Sequence, residues 1–212
     1  MKKISIKGLA DFMTSAPAKQ RSIIRQFKYP DEEEAKARIT NYRDARDRVA
    51  AFHRSEHTRS WLLAEAHHLE GLANMSAGRT VDRMNHNARA LRAYAKHFAD
   101  RQFTVLDDLT LYLKHEDVIV TIHPDLHVQE DEREKVLKLE FSVRQPSDAL
   151  VKIVAQAMFE ATAVTNMHLV SSSVLYLDVP RGQIYRGARL GARMRKDIEA
   201  ACMNISAIWD RI

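Results

Sequence analysis

Apolar residues recur at every third or fourth position through the first hundred residues, and this spacing predicts a series of helices. The periodic segments cover 6–13, 17–29, 31–52, 61–72 and 84–98. Ser5 is placed to cap the first helix, and Pro17 suits the first turn of the second. Pro30 ends that second helix, because a proline pushes the residue before it out of the α region. Strand signals are few here, so the pattern predicts an all-helical N-terminal region, 1–100.

The pattern changes after Phe103, where alternating and continuous apolar runs replace the helical spacing. Strands are predicted at 109–114, 118–122, 136–143, 173–179 and 183–186. A helix capped near Ser147 separates the third strand from the fourth, and a last helix covers 188–212. The turn Pro180-Arg181-Gly182 joins the last two strands as a hairpin. This order predicts an α+β (mixed α/β) fold, with residues 101–212 forming its α/β core.

Composition narrows the class of protein. The chain has 212 residues, of which 45% are hydrophobic and 29% charged, as in an ordinary globular protein with one domain or one domain and a helical appendage. Its single cysteine, Cys202, excludes an intrachain disulfide and favours a reducing, cytoplasmic compartment. We expect Cys202 to be a buried apolar residue and not a catalytic thiol. No run approaches the ~20 apolar residues of a membrane span, and the N-terminus does not resemble a signal peptide.

Charge is distributed unevenly along the chain. The formal net charge is +5, and basic residues concentrate at 21–28, 38–54 and 181–196. Such clusters suit contacts to a phosphate backbone, although solvated helix faces explain them equally well. The candidate nucleic-acid contacts are Arg189, Arg193, Arg195 and Lys196.

Two histidines have the spacing of helical metal ligands. His53 and His57 are four residues apart, but neither an HExxH motif nor a cysteine partner accompanies them. We therefore expect exposed or capping histidines at these positions.

Charged residues meet at the ends of the second and third predicted strands. Pro124-Asp125 leaves the second strand, and Lys138 and Glu140 lie two residues apart on the third. Residues two apart on a strand share a face, so these two side chains point together, away from Leu137 and Leu139. Two carboxylates and a lysine would supply hard oxygen ligands for Mg²⁺ and a cation for a developing charge. The alternative is a solvent-facing salt bridge on a half-exposed strand.

This combination resembles the PD-(D/E)XK nuclease superfamily, and looks most like its RecB-type branch. The resemblance covers roughly 88–189 and implies a restriction-endonuclease-like central sheet flanked by helices. It implies that Asp125 and Glu140 bind Mg²⁺ or Mn²⁺, with His97 of an upstream helix as a further ligand. Lys138 would position the attacking water. Gln156, on the next helix and shortly before an aromatic residue, would act as an orienting group.

The chain departs from the family's motif at one point, and this departure leaves three hypotheses about its function open. The family has an acid, any residue and then a lysine, whereas this chain has Lys138-Leu139-Glu140; Glu134 and Glu160 are possible replacement acids. The first hypothesis is Mg²⁺-dependent hydrolysis of DNA. The second is a catalytically silent nuclease fold that binds nucleic acid or a protein partner. The third is a structural subunit whose helices form a homo-oligomer interface. Members of this branch are common in DNA repair, mobile elements and phage defence.

Overall fold

The computed structural model describes residues 1–31, 41–165, 167, 169–187 and 192–212, and within them it confirms the α+β class. The α-helices are α1 (Ile6–Met13), α2 (Pro17–Lys28), α3 (Arg43–Arg54), α4 (Arg59–Asn74), α5 (Arg79–His97), α6 (Asp148–Val164) and α7 (Ala192–Arg211). The strands are β1 (Lys2–Ser5), β2 (Thr104–Val105), β3 (Leu111–His115), β4 (Val118–Ile122), β5 (Leu126–Glu130), β6 (Arg133–Glu140), β7 (Val174–Asp178) and β8 (Gln183–Arg186). Short 3-10 turns occupy Ser171–Ser173 and Val179–Arg181.

The strands form two sheets, where the sequence predicted one central sheet. A three-stranded sheet has the order β1-β4-β3, with β1 parallel to β4 and β3 antiparallel to it. A five-stranded sheet has the order β2-β5-β6-β7-β8. The chain passes from one sheet to the other between Ile122 and Leu126, around Pro124. A proline cannot donate a ladder hydrogen bond, so it suits this break between strands.

The five-stranded sheet places the carboxyl ends of two strands side by side. β5 and β6 form an antiparallel hairpin in which Leu126 pairs with Leu137. β6 runs through α6 into β7, which lies parallel to it with Glu140 opposite Asp178. The carboxyl ends of β6 and β7 therefore lie at the same end of the sheet, beside the start of β5.

Two hydrophobic clusters lie on opposite faces of this sheet. The first combines α1, α2, α6 and α7 with the three-stranded sheet and with Val136 and Tyr176. The second combines α3, α4 and α5 with Leu137, Leu139 and Leu177. Side chains alternate across a strand, so Lys138 and Glu140 lie on the Val136 face, away from the two leucines, as predicted. The segment 1–100 contributes helices to both clusters.

Several local predictions are confirmed. The Ser5 hydroxyl accepts the Gly8 N–H at 3.1 Å, and Pro17 is the first residue of α2. α2 ends at Lys28, before Pro30, and the Ser147 hydroxyl caps α6.

The prediction of one helix over 31–52 was wrong at its start, because Asn41 and Tyr42 form a turn and α3 begins at Arg43; 32–40 lie outside the described residues. The first part of the predicted last helix, 188–191, also lies outside them. Among the helices described here, none is long and apolar enough to cross a membrane.

Candidate functional site

Asp125 is held by the backbone of the neighbouring strand. Its own N–H donates to the Leu137 carbonyl at 2.8 Å, and its carboxylate accepts the Leu139 N–H at 2.7 Å. The side chain is only 4% exposed. Asp125 immediately precedes β5, and both its own N–H and its carboxylate bond to the backbone of β6, so it lies beside the end of that strand.

Two cations contact the Asp125 carboxylate. Lys138 Nζ lies 2.9 Å from Oδ2, and Arg46 Nε, which comes from α3, lies 3.4 Å from Oδ1. Lys138 Nζ also donates to the His123 carbonyl at 3.4 Å. Each carboxylate oxygen therefore already has a cationic neighbour.

Hydrogen-bond donors hold the Glu140 carboxylate. Oε1 accepts the Ser142 N–H at 2.8 Å, and Oε2 accepts the Tyr176 hydroxyl at 3.0 Å. Burial, reinforced by the charge of Glu140, raises the pKa of Tyr176, so its phenol stays neutral and remains a donor. Glu140 is thereby tied to β7 and to the chain that leaves β6.

The end of β7 carries a second acid with its own cation. Asp178 is fully buried, and Arg181 Nη1 lies 3.2 Å and 3.0 Å from its two carboxylate oxygens. The other Arg181 nitrogen donates to the Val143 carbonyl. This pair fixes the turn after β7 against the chain that leaves β6.

His97 lies beside this turn and not in the acid cluster. Its ring packs on Gly182, where an added Cβ would come within 2.5 Å of His97 Nδ1. Between the described side chains, no hydrogen bond or ion pair joins His97 to Asp125 or Glu140. The structure therefore brings Asp125, Lys138 and Glu140 to one strand end and places His97 on the adjoining surface.

Gln156 pairs with a different acid. Its amide Nε2 donates to Glu160 Oε1 at 2.7 Å, and Arg195 Nε lies 3.4 Å from the same oxygen. The buried Gln156 Oε1 has no hydrogen-bond partner within the described chain. Glu134, the other possible replacement acid, accepts a hydrogen bond from His127 at 2.7 Å. Both replacement acids are thus engaged in separate pairs.

The basic cluster near residue 190 is described in part. Arg193, Arg195 and Lys196 are exposed on the first turns of α7, whereas Arg189 lies outside the described residues. Their role in nucleic-acid binding stays a prediction.

The donor set at the strand end does not fit Mg²⁺ in this arrangement. Mg²⁺ requires several oxygen ligands in near-octahedral geometry and is repelled by a neighbouring ammonium group. Here the Lys138 ammonium occupies the approach to Asp125. Across the described ranges, no three histidine, cysteine or acidic side chains are grouped as a metal site.

Four members of the strand-end cluster were missed from the sequence: Arg46, Tyr176, Asp178 and Arg181. A signal existed for Asp178, which ends a continuous apolar strand just before Pro180. No sequence signal marked Arg46, because its partner, Asp125, is distant along the chain.

The expectation of exposed or capping histidines was wrong for His53. It is buried within α3, and its Nε2 lies 2.8 Å from the Tyr94 hydroxyl. Burial lowers the pKa of His53 to about 4, so the ring is neutral at physiological pH. The rings of Phe52, Tyr94 and Phe103 pack around it, an environment that the i,i+4 pattern does not reveal. The His57 ring stacks on Trp61 at 4.2 Å.

Cys202 is buried, as predicted. Burial raises the pKa of its thiol to about 12, which keeps it protonated and unreactive.

Comparison with known proteins adds no family to this description. No protein-family model matches the chain, and no curated protein sequence matches it significantly.

Proposed function

We propose that this protein binds nucleic acid through a nuclease-like fold without hydrolysing it. The observation that carries the proposal is the 2.9 Å contact between Lys138 Nζ and the Asp125 carboxylate. This ion pair lies where the resemblance implies a set of metal ligands.

The ammonium group supplies the positive charge that a divalent ion would bring, but not its chemistry. A metal ion lowers the pKa of a bound water and so generates a nucleophile at neutral pH. A protonated lysine coordinates no water and cannot accept its proton. The cluster of Asp125, Lys138 and Arg46 instead joins the β5–β6 hairpin to α3.

Binding to nucleic acid is supported by charge and by the resemblance. The net charge of +5 favours an anionic partner, and phosphate contacts depend on arginine and lysine clusters. The resemblance implies DNA as the partner.

The second candidate is Mg²⁺-dependent hydrolysis of DNA. One observation favours it: Asp125 and Lys138 are in contact at the end of β6, the strand that also carries Glu140, as the resemblance would require of a nuclease site. Lys138 would have to leave Asp125 before a metal could bind.

Calorimetric titration with Mg²⁺ and Mn²⁺ separates the two candidates. It would be run on the wild type, on Asp125→Ala and on the double variant Lys138→Glu/Glu140→Lys, which restores the family's order of acid and lysine. Plasmid and single-strand cleavage would be followed in parallel. We expect no metal binding and no cleavage by the wild type, and we expect the double variant to gain metal binding. The variant with Glu140→Lys alone is the control, because it adds the same lysine without adding an acid beside Asp125.

Metal binding and cleavage by the wild type, both lost in Asp125→Ala, would overturn the proposal in favour of hydrolysis. Nucleic-acid binding is tested separately, by the fluorescence anisotropy of labelled single- and double-stranded DNA across a salt series.

A further inference from the structure

The three-stranded sheet has one covered face and one face that is turned outward. Ile4, Val120 and Leu113 lie side by side on the covered face and belong to the first hydrophobic cluster. Side chains alternate along a strand, so the positions between these residues point the other way, and each of them is exposed or half-buried. We call these positions the outer sheet face: Lys3, Ser5, Tyr112, Lys114, Ile119 and Thr121.

The strand register determines which side chains of the outer sheet face are neighbours. Lys3 pairs with Ile119, which pairs in turn with Lys114, so one row across the sheet is lysine, isoleucine, lysine. The next row is Ser5, Thr121 and Tyr112. Strands lie about 4.8 Å apart and rise about 3.4 Å per residue, so the backbones at the two lysines are about 10 Å apart, and Tyr112 lies about 7 Å along β3 from Lys114.

The outer sheet face carries positive charge and no carboxylate. Lys3 and Lys114 are exposed, and neither forms an ion pair with a described residue. The acids nearest to Lys114 along the chain are Glu116 and Asp117, in the turn between β3 and β4. Lys2 Nζ, on the opposite face of β1, holds the Asp117 carboxylate at 2.7 Å. Opposite charges on neighbouring strands stabilise a sheet, whereas this face presents two lysines to an anion from outside.

Tyr112 adds an aromatic surface beside these lysines. It is 53% exposed, and its cross-strand neighbour Thr121 is too small to cover the ring. Just beyond the ladder, Thr110 Oγ1 lies 3.2 Å from His123 Nδ1, so the same two strands continue the face. The His123 carbonyl in turn accepts a hydrogen bond from Lys138 Nζ at 3.4 Å. The outer sheet face therefore ends next to the strand-end cluster.

We infer that the outer sheet face binds single-stranded nucleic acid. Lys3 and Lys114 contact phosphates, and a base stacks on Tyr112. Sites for single strands combine basic side chains along the backbone with aromatic side chains that stack on bases, in some folds on the face of a sheet. A base within a duplex is already stacked on both sides, so stacking on Tyr112 selects a single strand. This inference rests on the proposed function and assigns the contact to β1, β3 and β4, not to α7.

Two matched double variants test the assignment by fluorescence anisotropy with a labelled single-stranded DNA oligonucleotide. The first replaces Lys3 and Lys114 by glutamine. The control replaces Lys96 and Lys152 by glutamine; these are exposed lysines of α5 and α6, outside the three-stranded sheet. Both variants remove two positive charges, so a general effect of net charge is the same in each.

We expect the first variant to lose about tenfold or more in affinity near 0.1 M salt, and the control to lose much less. The slope of log K against log salt should become shallower by about 1.4 in the first variant, because each phosphate contact on a single strand contributes about 0.7. Glu116→Gln should bind more tightly than the wild type, because it removes the acid that repels phosphate near Lys114.

The aromatic contact is tested by a second pair of variants. Tyr112→Leu should weaken binding about tenfold without changing the salt slope, since stacking is not ionic. Tyr112→Phe keeps the ring and should retain the wild-type affinity. Thermal unfolding of each variant establishes that it is folded.

Unchanged affinity in the first lysine variant, or an equal loss in its control, would overturn the assignment and leave the proposed function standing. Tighter binding of the matching duplex than of the single strand would overturn the single-strand assignment. A dimer in sedimentation that Tyr112→Leu dissociates would show that a second copy of the chain covers this face, and would overturn the inference too. Absence of nucleic-acid binding by the wild type would overturn the proposed function itself.

Discussion

The contact between Asp125 and Lys138 predicts a measurable coupling energy. We consider Asp125→Ala, Lys138→Met and the double variant, with methionine chosen because it keeps most of the lysine's alkyl stem. Asp125→Ala removes the acceptor of the Leu139 N–H and leaves two cations without their partner. Lys138→Met leaves the carboxylate with Arg46 and with that N–H.

The magnitude follows from the distance and from burial. Opposite charges 2.9 Å apart attract by about 6 kcal/mol at an effective dielectric constant of about 20. Desolvation of a carboxylate that is 4% exposed cancels most of this gain. We therefore expect a coupling of about 1–3 kcal/mol, with Asp125→Ala alone costing about 2–4 kcal/mol because it also leaves the Leu139 N–H unsatisfied.

Urea unfolding of the four proteins measures this coupling as a double-mutant cycle. The exposed pair Arg59–Asp100, at 2.6 Å, is the matched control. Its coupling should be far smaller and should vanish in high salt, since salt screens exposed charges much more than buried ones. An Asp125–Lys138 coupling below about 0.5 kcal/mol would refute the reasoning, because the lysine would then not hold the carboxylate.

Three further predictions concern stability. Ser147→Ala should destabilise the protein by about 1 kcal/mol in urea unfolding, since it removes the hydroxyl that caps α6; an unchanged midpoint would show that the cap contributes nothing. The pKa of His53 falls from 6.5 in the unfolded chain to about 4 in the folded protein, so between these pH values the unfolded chain binds one more proton. The free energy of unfolding therefore declines as the pH falls through this range, by about 3 kcal/mol in total. His53→Leu should flatten that dependence, and an equally steep profile in the variant would assign it to other groups. Gly182→Ala should cost about 1 kcal/mol or more, because φ is +65° there and an imidazole ring packs on it, whereas Gly71→Ala, in open space on α4, should be stabilising; equal effects of the two would contradict this.

The helices of this protein could be predicted because their signals are local. The serine caps and the prolines at 17 and 30 act within one turn, so they define helix ends wherever the helix packs. β1 was missed because only Ile4 marks its buried face and its partner strand begins at Val118. β5 was missed because Pro124-Asp125 indicates the end of a strand, although the next strand begins directly after it.

Division of the strands into two sheets could not be predicted from alternation. A period of two specifies which residues are buried, but not which sheet buries them. The same limit applies to the candidate site. That Lys138 and Glu140 share a face followed from their spacing, whereas the contact of Lys138 with Asp125 depends on the β5–β6 register. The contribution of Arg46 depends on where α3 packs, which no local pattern encodes.

The parallel pairing of β1 with β4 has a consequence for synthesis on the ribosome. β1 ends at Ser5, whereas its hydrogen-bonding partner, β4, starts only at Val118, so β1 is made well before the strand with which it pairs. Chains emerge at about 5–20 residues per second, so Ile4, which is buried in the finished protein, remains without its strand partner for several seconds. The three-stranded sheet can then close only after the α3–α5 helices have already left the ribosome. β1 is thus paired late, and this interval is when a nascent chain would be most open to chaperones.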